Sequence, residues 1–229
     1  MKILVSWSTG KDSAWTLHVL KQQYPGAAAG LLTTTNEAFD RVAMHAVRRE
    51  LLEAQADAAG LPLHVLPLPW PCSNAQYESI MSAAVAGFVA DGFTHVAFGD
   101  LFLEDVRNYR ITRLAGSGLE PLFPIWKTKT TKELAEEMVT AGLQARLTCV
   151  DPRKLDRTFA GRVFDRSLLT DLPTSVDPCG ENGEFHSFAF AGPMFQHPIP
   201  NQLGEIVDRD GFVFADVALG TGPVLQHLP

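Results

Sequence analysis

The sequence predicts an α/β protein, with a parallel sheet in its first half followed by a smaller, mixed α+β second half. Three observations carry this reading. Strand-like and helix-like stretches alternate through residue 125, the pattern of a parallel sheet with crossover helices. Glycine or proline punctuates most junctions between them. From residue 184 onward the chain turns β-rich, around an Asp210-Gly211 hairpin signal.

The elements follow in order. Residues 2–6 read as an apolar strand. Residues 13–24 set Ala14, Leu17, Leu20 and Tyr24 at helical spacing and stop at Pro25-Gly26. Residues 27–34 predict a second strand. Residues 39–59 predict the longest helix, with Val42, Ala46, Leu52 and Ala56 along one side, His45 as an early surface or cap residue and Gly60 as its stop. A third strand falls at 62–68, a helix ended by Gly92 at 75–91, and a fourth strand at 94–99. A helix at 103–115 and a proline-marked strand at 120–125 complete the first half. Thr130 and Glu133 then have capping-box spacing, which supports a helix at 131–141. Residues 143–150 read as a strand, 165–172 as a short helix, and 185–190, 205–207 and 212–217 as strands. The chain contains no internal repeat, and the change of pattern near 126–130 divides it into domains at 1–126 and 127–229.

Composition limits the function classes. The 19 basic and 26 acidic side chains give a net charge of −7, which argues against a nucleic-acid or anionic-lipid partner lacking a dense basic patch. The basic groups Lys127, Lys129, Lys132 and Arg107, Arg110, Arg113 are too sparse for a polybasic arm. Cys72, Cys149 and Cys179 stand far apart with no C-x-x-C pair, so neither a disulfide framework nor a zinc site is expected, and all three read as packing residues. No run of about twenty apolar residues occurs, and residues 2–6 are too short for a signal h-region. The expectation is a cytoplasmic protein with no membrane segment.

The first chemical signal follows the first strand. Ser6-Trp7-Ser8-Thr9-Gly10-Lys11-Asp12-Ser13 offers hydroxyls, a glycine, a cation and a helix start, the parts from which a phosphate cradle is built. A Walker A loop needs Ser or Thr after the lysine and a glycine five places before the second one; here Asp12 and Val5 stand there. A dinucleotide fingerprint is absent too. An ordinary turn with Ser and Asp caps uses the same residue types, but their arrangement at the first βα corner favours phosphate. The second signal is Asp177-Pro178-Cys179-Gly180-Glu181-Asn182-Gly183-Glu184-Phe185-His186-Ser187. Two glycines, each followed by a glutamate, suit either a turn that gathers carboxylates and amides or a solvent-exposed turn.

The first segment resembles the Ser-Gly-Gly-x-Asp-Ser loop of the N-type ATP pyrophosphatases, with Thr9 in place of the second-position glycine. Together the two segments resemble the diphthine–ammonia ligase family. Supporting blocks are Gly99-Asp100-Leu101 through Arg107 and Arg110, residues 120–126, and Thr148-Cys149-Val150-Asp151. His186 stands where the diphthine branch carries an acidic residue, which places the chain nearest the bacterial-type branch. The resemblance implies a Rossmann-like fold of the adenine nucleotide alpha hydrolase type, with an ATP-binding PP-loop domain before a substrate-recognition domain. It implies an ATP-dependent ligase that adenylates a carboxylate, releases pyrophosphate and forms an amide with ammonia.

The implied ATP site is Ser6, Ser8, Thr9, Gly10, Lys11, Asp12 and Ser13, with Thr33 and Thr34 toward the adenosine and Gly99 and Asp100 opposite. Asp12 and Asp100 would hold Mg²⁺. Lys11, Asp12 and Glu184 are the catalytic candidates. Gly180, Glu181, Asn182, Gly183, Glu184 and His186 would line the acceptor pocket. Arg107 and Arg110 share a helix face and would meet a carboxylate or phosphate, or form a solvated basic face. Expected partners are a small-molecule or protein carboxylate plus ammonia, with a homodimer as one allowed assembly. The competing readings are a tRNA-modifying sulfur transferase of the same superfamily, an α-phosphate hydrolase and a nucleotide sensor.

Overall fold

The computed structural model describes residues 1–38, 41–42 and 47–220. Its centre is β1 (Ile3–Ser6), whose apolar residues are buried on both faces. Such a run suits the middle of a parallel sheet covered by helices on each side. The elements then follow as α1 (Lys11–Gln23), β2 (Ala28–Asn36), β3 (Arg41–Val42), α2 (Arg49–Ala59), β4 (Leu63–Leu68), α3 (Asn74–Ala90), β5 (His95–Ala97), α4 (Glu104–Leu114) and β6 (Glu120–Leu122). β1 pairs in parallel with β2 on one side and β5 on the other. β4 adds in parallel to β2, and β6 to β5. The order β4-β2-β1-β5-β6 therefore reverses between β1 and β5, and ligands of open α/β sheets sit at the carboxyl ends of strands at such a reversal.

The second half contains α5 (Thr131–Thr140), β7 (Gln144–Val150), a 3₁₀ turn at Arg157–Phe159, α6 (Arg166–Asp171), β8 (Phe185–Ala191), β9 (Asn201–Arg209) and β10 (Phe212–Leu219). Its sheet is antiparallel in the order β8-β7-β10-β9. The capping box forms, with the Thr130 side chain accepting from the Glu133 amide and the Glu133 carboxylate from the Thr130 amide. Asp210 (φ +53°) and Gly211 (φ +80°) both take left-handed backbone at the hairpin, the geometry of a type I′ turn. A continuous core joins the halves, running from Val5, Trp7 and Leu17 to Phe188, Ala189 and Val213. A smaller cluster of Leu4, Leu32, Phe88, Phe93 and Val96 fills the other face of the first sheet.

The helix expected over residues 39–59 is corrected. α2 begins only at Arg49, and Arg41–Val42 is a strand antiparallel to Thr35 and Asn36 at the end of β2. Val42 is buried in the main core with Val47, whose carbonyl accepts the Val42 amide at 3.0 Å. Val42, which looks helical by spacing, thus belongs to a strand, while Leu52 and Ala56 do lie on the buried face of α2. Phe39, His45 and Ala46 lie outside the described residues. Gly60 caps α2 in left-handed conformation as expected. β9 extends well beyond the expected residues 205–207. Among the described residues, no helix is long and apolar enough to cross a membrane.

Candidate active site

Ser6 ends β1, and the loop turns at once into α1. Inside the loop Ser8 Oγ lies 3.4 Å from the Gly10 amide and 3.2 Å from Ser13 Oγ, and Ser13 Oγ donates to the Gly10 carbonyl at 3.0 Å. Gly10 is the N-cap and has no side chain with which to cap the helix, which leaves a positive helix end beside the cleft. The end of β5 packs against this turn. A Cβ on Gly99 would lie 3.0 Å from the Asp12 carbonyl carbon and 3.1 Å from the Ser13 nitrogen, so only glycine allows the two segments to touch.

The second sheet closes the other side. The Ala189 amide donates to the Thr9 carbonyl at 2.9 Å, and the Lys11 amide donates to Ser187 Oγ at 3.2 Å. A cleft of about 230 Å³ results. The loop lines it with Ser6, Ser8, Lys11, Asp12 and Ser13, and the end of β5 with Phe98, Gly99 and Asp100. Arg110 of α4 reaches in, and the Gly-Glu turn contributes Gly180, Glu181, Gly183 and His186. The two sequence signals, nearly 170 residues apart, therefore face one space.

Lys11 is buried, at 2% exposure. Its Nζ donates to Asp12 Oδ1 at 3.0 Å and Oδ2 at 2.9 Å, and to the Cys179 carbonyl. Burial opposes the ammonium charge, but Asp12 and the other acidic groups around it prevail, and the Lys11 pKa is raised. Lys11 thus joins the loop to the Gly-Glu turn as a fixed cation.

Glu181 Oε1 accepts the Leu101 amide at 3.0 Å. Burial pushes its carboxyl up to about 7, against the pull of the Leu101 amide and with the help of Asp12. Asp100 is also raised, first by burial, with Arg110 acting against this. Asp100 Oδ2 is buried with no hydrogen-bond partner, and Arg110 Nε stands 3.6 Å away, beyond hydrogen-bond reach. Burial and the Lys11 charge lower the His186 pKa, which keeps the imidazole neutral at pH 7.

Other expected site residues lie elsewhere. The Glu184 carboxylate turns into its own loop, where Oε1 accepts the Asp177 amide at 3.1 Å and Asn182 Nδ2 at 3.2 Å. Neither Glu184 nor Asn182 lines the cleft; both brace the turn that presents Glu181. Arg107 stacks on Phe123 and Trp126, 5.0 and 5.3 Å from their ring centres, and does not line the cleft. Thr33 and Thr34 follow Leu32, the β2 partner of Ser6, and stay outside the cleft wall. Thr9 and Gly10 form the back of the loop.

Two contributors escape the sequence reading. Ser187 lies inside the second segment but carries no expected role there. Gln55 donates to the Thr9 carbonyl at 2.9 Å from the buried face of α2; a polar residue among Leu51, Leu52, Ala56 and Ala59 is the available signal.

Comparison with known proteins adds an independent finding. A family model described as the diphthamide synthase N-terminal domain matches residues 1–114, and one described as the diphthamide synthase C-terminal domain matches residues 130–212. The diphthine–ammonia ligase of Bos taurus is 24% identical over 240 residues, covering 95% of this chain and 89% of that protein. The Homo sapiens protein of the same name is 23% identical with the same coverage. A solved structure from Methanocaldococcus jannaschii, described as a predicted subunit of tRNA methyltransferase, covers 65% of this chain and 80% of its own at 16% identity. Its TM-score of 0.42 is too low to support a functional reading.

Proposed function

The chain belongs to the diphthamide synthase family, that of the diphthine–ammonia ligases, and from that premise we propose that it is an ATP-dependent ligase that adenylates a carboxylate and converts it to an amide with ammonia. The observation that carries the proposal is the shared cleft, where the loop of residues 8–13 faces the Gly-Glu turn across the ends of β1 and β5. A phosphate cradle and a second group of carboxylates at one topological switch point suit a reaction that joins two substrates at an α-phosphate.

In this reading the Ser8 and Ser13 hydroxyls and the first amides of α1 hold the departing pyrophosphate. These donors need little rearrangement as charge develops, since the helix and β8 already fix them. Lys11 supplies positive potential from beneath the loop while holding Asp12 and the Gly-Glu turn at fixed separation. Thr33 and Thr34 lie toward the adenosine. Asp12 and Asp100 present hard carboxylate oxygens, one of them buried without a hydrogen bond, and would hold Mg²⁺ together with phosphate oxygens. Among the described residues, no group of three or more His, Cys, Asp or Glu side chains could hold a metal ion, and Mg²⁺ commonly takes only one or two carboxylates beside a nucleotide. When bound, the metal screens the phosphate charge. Glu181, Gly180, Gly183 and neutral His186 face the acceptor and the incoming ammonia.

The acceptor is a diphthine-like carboxylate, on a protein or a small molecule, and the enzyme works in the cytoplasm. Residues 1–126 bind ATP and residues 127–229 recognise the acceptor, and a homodimer is one allowed assembly. Sulfur transfer finds little support, because it needs a reactive thiolate. Burial raises the thiol of Cys179, which lines the cleft, and pushes that of Cys149 up to about 11, and Cys72 does not line the cleft. The test is incubation with ATP, Mg²⁺, ammonium and a diphthine-bearing substrate. AMP and pyrophosphate released in step with amide support the proposal; ADP and phosphate as products contradict it.

A further inference from the structure

The phosphate loop is held from behind by one committed side chain. Gln55, on α2, is fully buried. Its Oε1 accepts Trp7 Nε1 at 2.8 Å, and its Nε2 donates to the Thr9 carbonyl at 2.9 Å and the Ala189 carbonyl at 2.6 Å. Trp7 and Thr9 flank Ser8, whose side chain faces the cleft. Ala189 belongs to β8, and its own amide reaches the same Thr9 carbonyl at 2.9 Å. One amide group therefore connects α2, the loop and the second sheet.

Thr9 is the residue that needs this support. Its φ is +70°, a conformation that β-branched side chains disfavour strongly. Its Oγ1 is buried with no hydrogen-bond partner, so the side chain does nothing to stabilise the shape. Returning φ to negative values would swing the Thr9 carbonyl away from both donors. We propose that Gln55 is a positioning residue for the ligase reaction: it keeps Thr9 left-handed, and so keeps the Ser8 hydroxyl and the amides after Gly10 aimed into the cleft. Gln55 touches no substrate and acts through Thr9. The inference rests on the reading of this loop as the ATP phosphate site.

The test is a cycle of four proteins, wild type, Gln55→Leu, Thr9→Gly and the double variant, each titrated with MgATP by calorimetry and each melted. Glycine adopts left-handed backbone without help, so the loop of the Thr9→Gly variant no longer depends on Gln55. Gln55→Leu is expected to weaken ATP binding about tenfold in the wild-type background and less than about threefold in the Thr9→Gly background. Its effect on Tm should be similar in both. Equal losses of ATP affinity in the two backgrounds mark Gln55 as merely structural and overturn the proposal. If Gln55→Leu does not fold, Gln55→Glu replaces it in the same cycle. That change keeps the volume and the acceptor for Trp7, and sets a carboxylate against two carbonyls. A wild type that binds no ATP overturns the ligase reading and the role of Gln55 with it; a wild type that binds, with equal losses in both backgrounds, overturns the role of Gln55 alone.

Discussion

The ammonium of Lys11 donates at once to the Asp12 carboxylate and to the backbone carbonyl of Cys179. Lys11 begins α1, and Cys179 precedes the Gly-Glu turn, so this contact binds the two halves of the site into one unit.

Removing that cation leaves the Asp12 carboxylate and the Cys179 carbonyl without their donor. Breaking a buried ion pair costs about 3–5 kcal/mol, and the partial exposure of Asp12 lowers the expectation to about 2–3 kcal/mol. Lys11→Ala should therefore lower Tm by roughly 5–10 °C and weaken ATP binding by tenfold or more. Thermal melts and calorimetric titration check both numbers. Unchanged ATP affinity in this variant and in Asp12→Ala would remove the loop from the ATP site.

Thr9→Gly should stabilise the protein by about 1 kcal/mol. Left-handed backbone at a β-branched residue costs about 1–3 kcal/mol and a buried unsatisfied hydroxyl about as much. Glycine's extra chain entropy and the lost methyl burial take back much of this. Urea unfolding of both proteins measures the difference, and a lower midpoint for the glycine variant with an unchanged slope contradicts the strain.

The glycines of the Gly-Glu turn should differ in tolerance. Gly180 has φ +71°, and a Cβ there would meet the Phe185 carbonyl oxygen at 2.9 Å. Gly183 has φ +78° but would meet only Lys154 Nζ, at 3.8 Å. Gly183→Ala should cost about 1 kcal/mol for the backbone alone, and Gly180→Ala at least about 2–3 kcal/mol. Equal Tm losses would show that the turn does not sit against β8.

Glu181 gives a pH signature. Its carboxyl titrates near 7 in the folded protein, against about 4.3 when unfolded. The native state therefore holds more protons between these values, and its stability falls as pH rises through that window. Glu181→Gln removes this dependence. The variant should match wild type near pH 4 and exceed it by roughly 1 kcal/mol at pH 8, after allowance for screening in the open cleft. Melting curves from pH 4 to pH 8 test this, and parallel curves for the two proteins contradict the raised carboxyl.

The first sheet is legible in the sequence because local signals there agree with the fold. Apolar strands, helix caps and glycine stops all point the same way, while the residues after β1 read only as a phosphate cradle until the family resemblance implies a pyrophosphate loop. Legibility fails where a residue's role depends on the tertiary fold. Val42 has helical spacing with its neighbours, yet it pairs across to Thr35. Glu184 and Glu181 look equivalent in Gly-Glu-x-Gly-Glu, yet one braces the turn and the other faces the cleft. Thr9 looks like a mild replacement of glycine until its positive φ is seen. Gln55 lies in another helix, and no local pattern joins it to the loop.

The most direct measurement is a single turnover with enzyme in excess over ATP labelled at the α-phosphate, together with Mg²⁺, a diphthine-bearing substrate and ammonium. The account predicts that the label appears in AMP in step with amide, that omission of ammonium stops amide formation, and that Asp12→Ala abolishes both. Label appearing in ADP, or AMP release indifferent to Asp12, would contradict it.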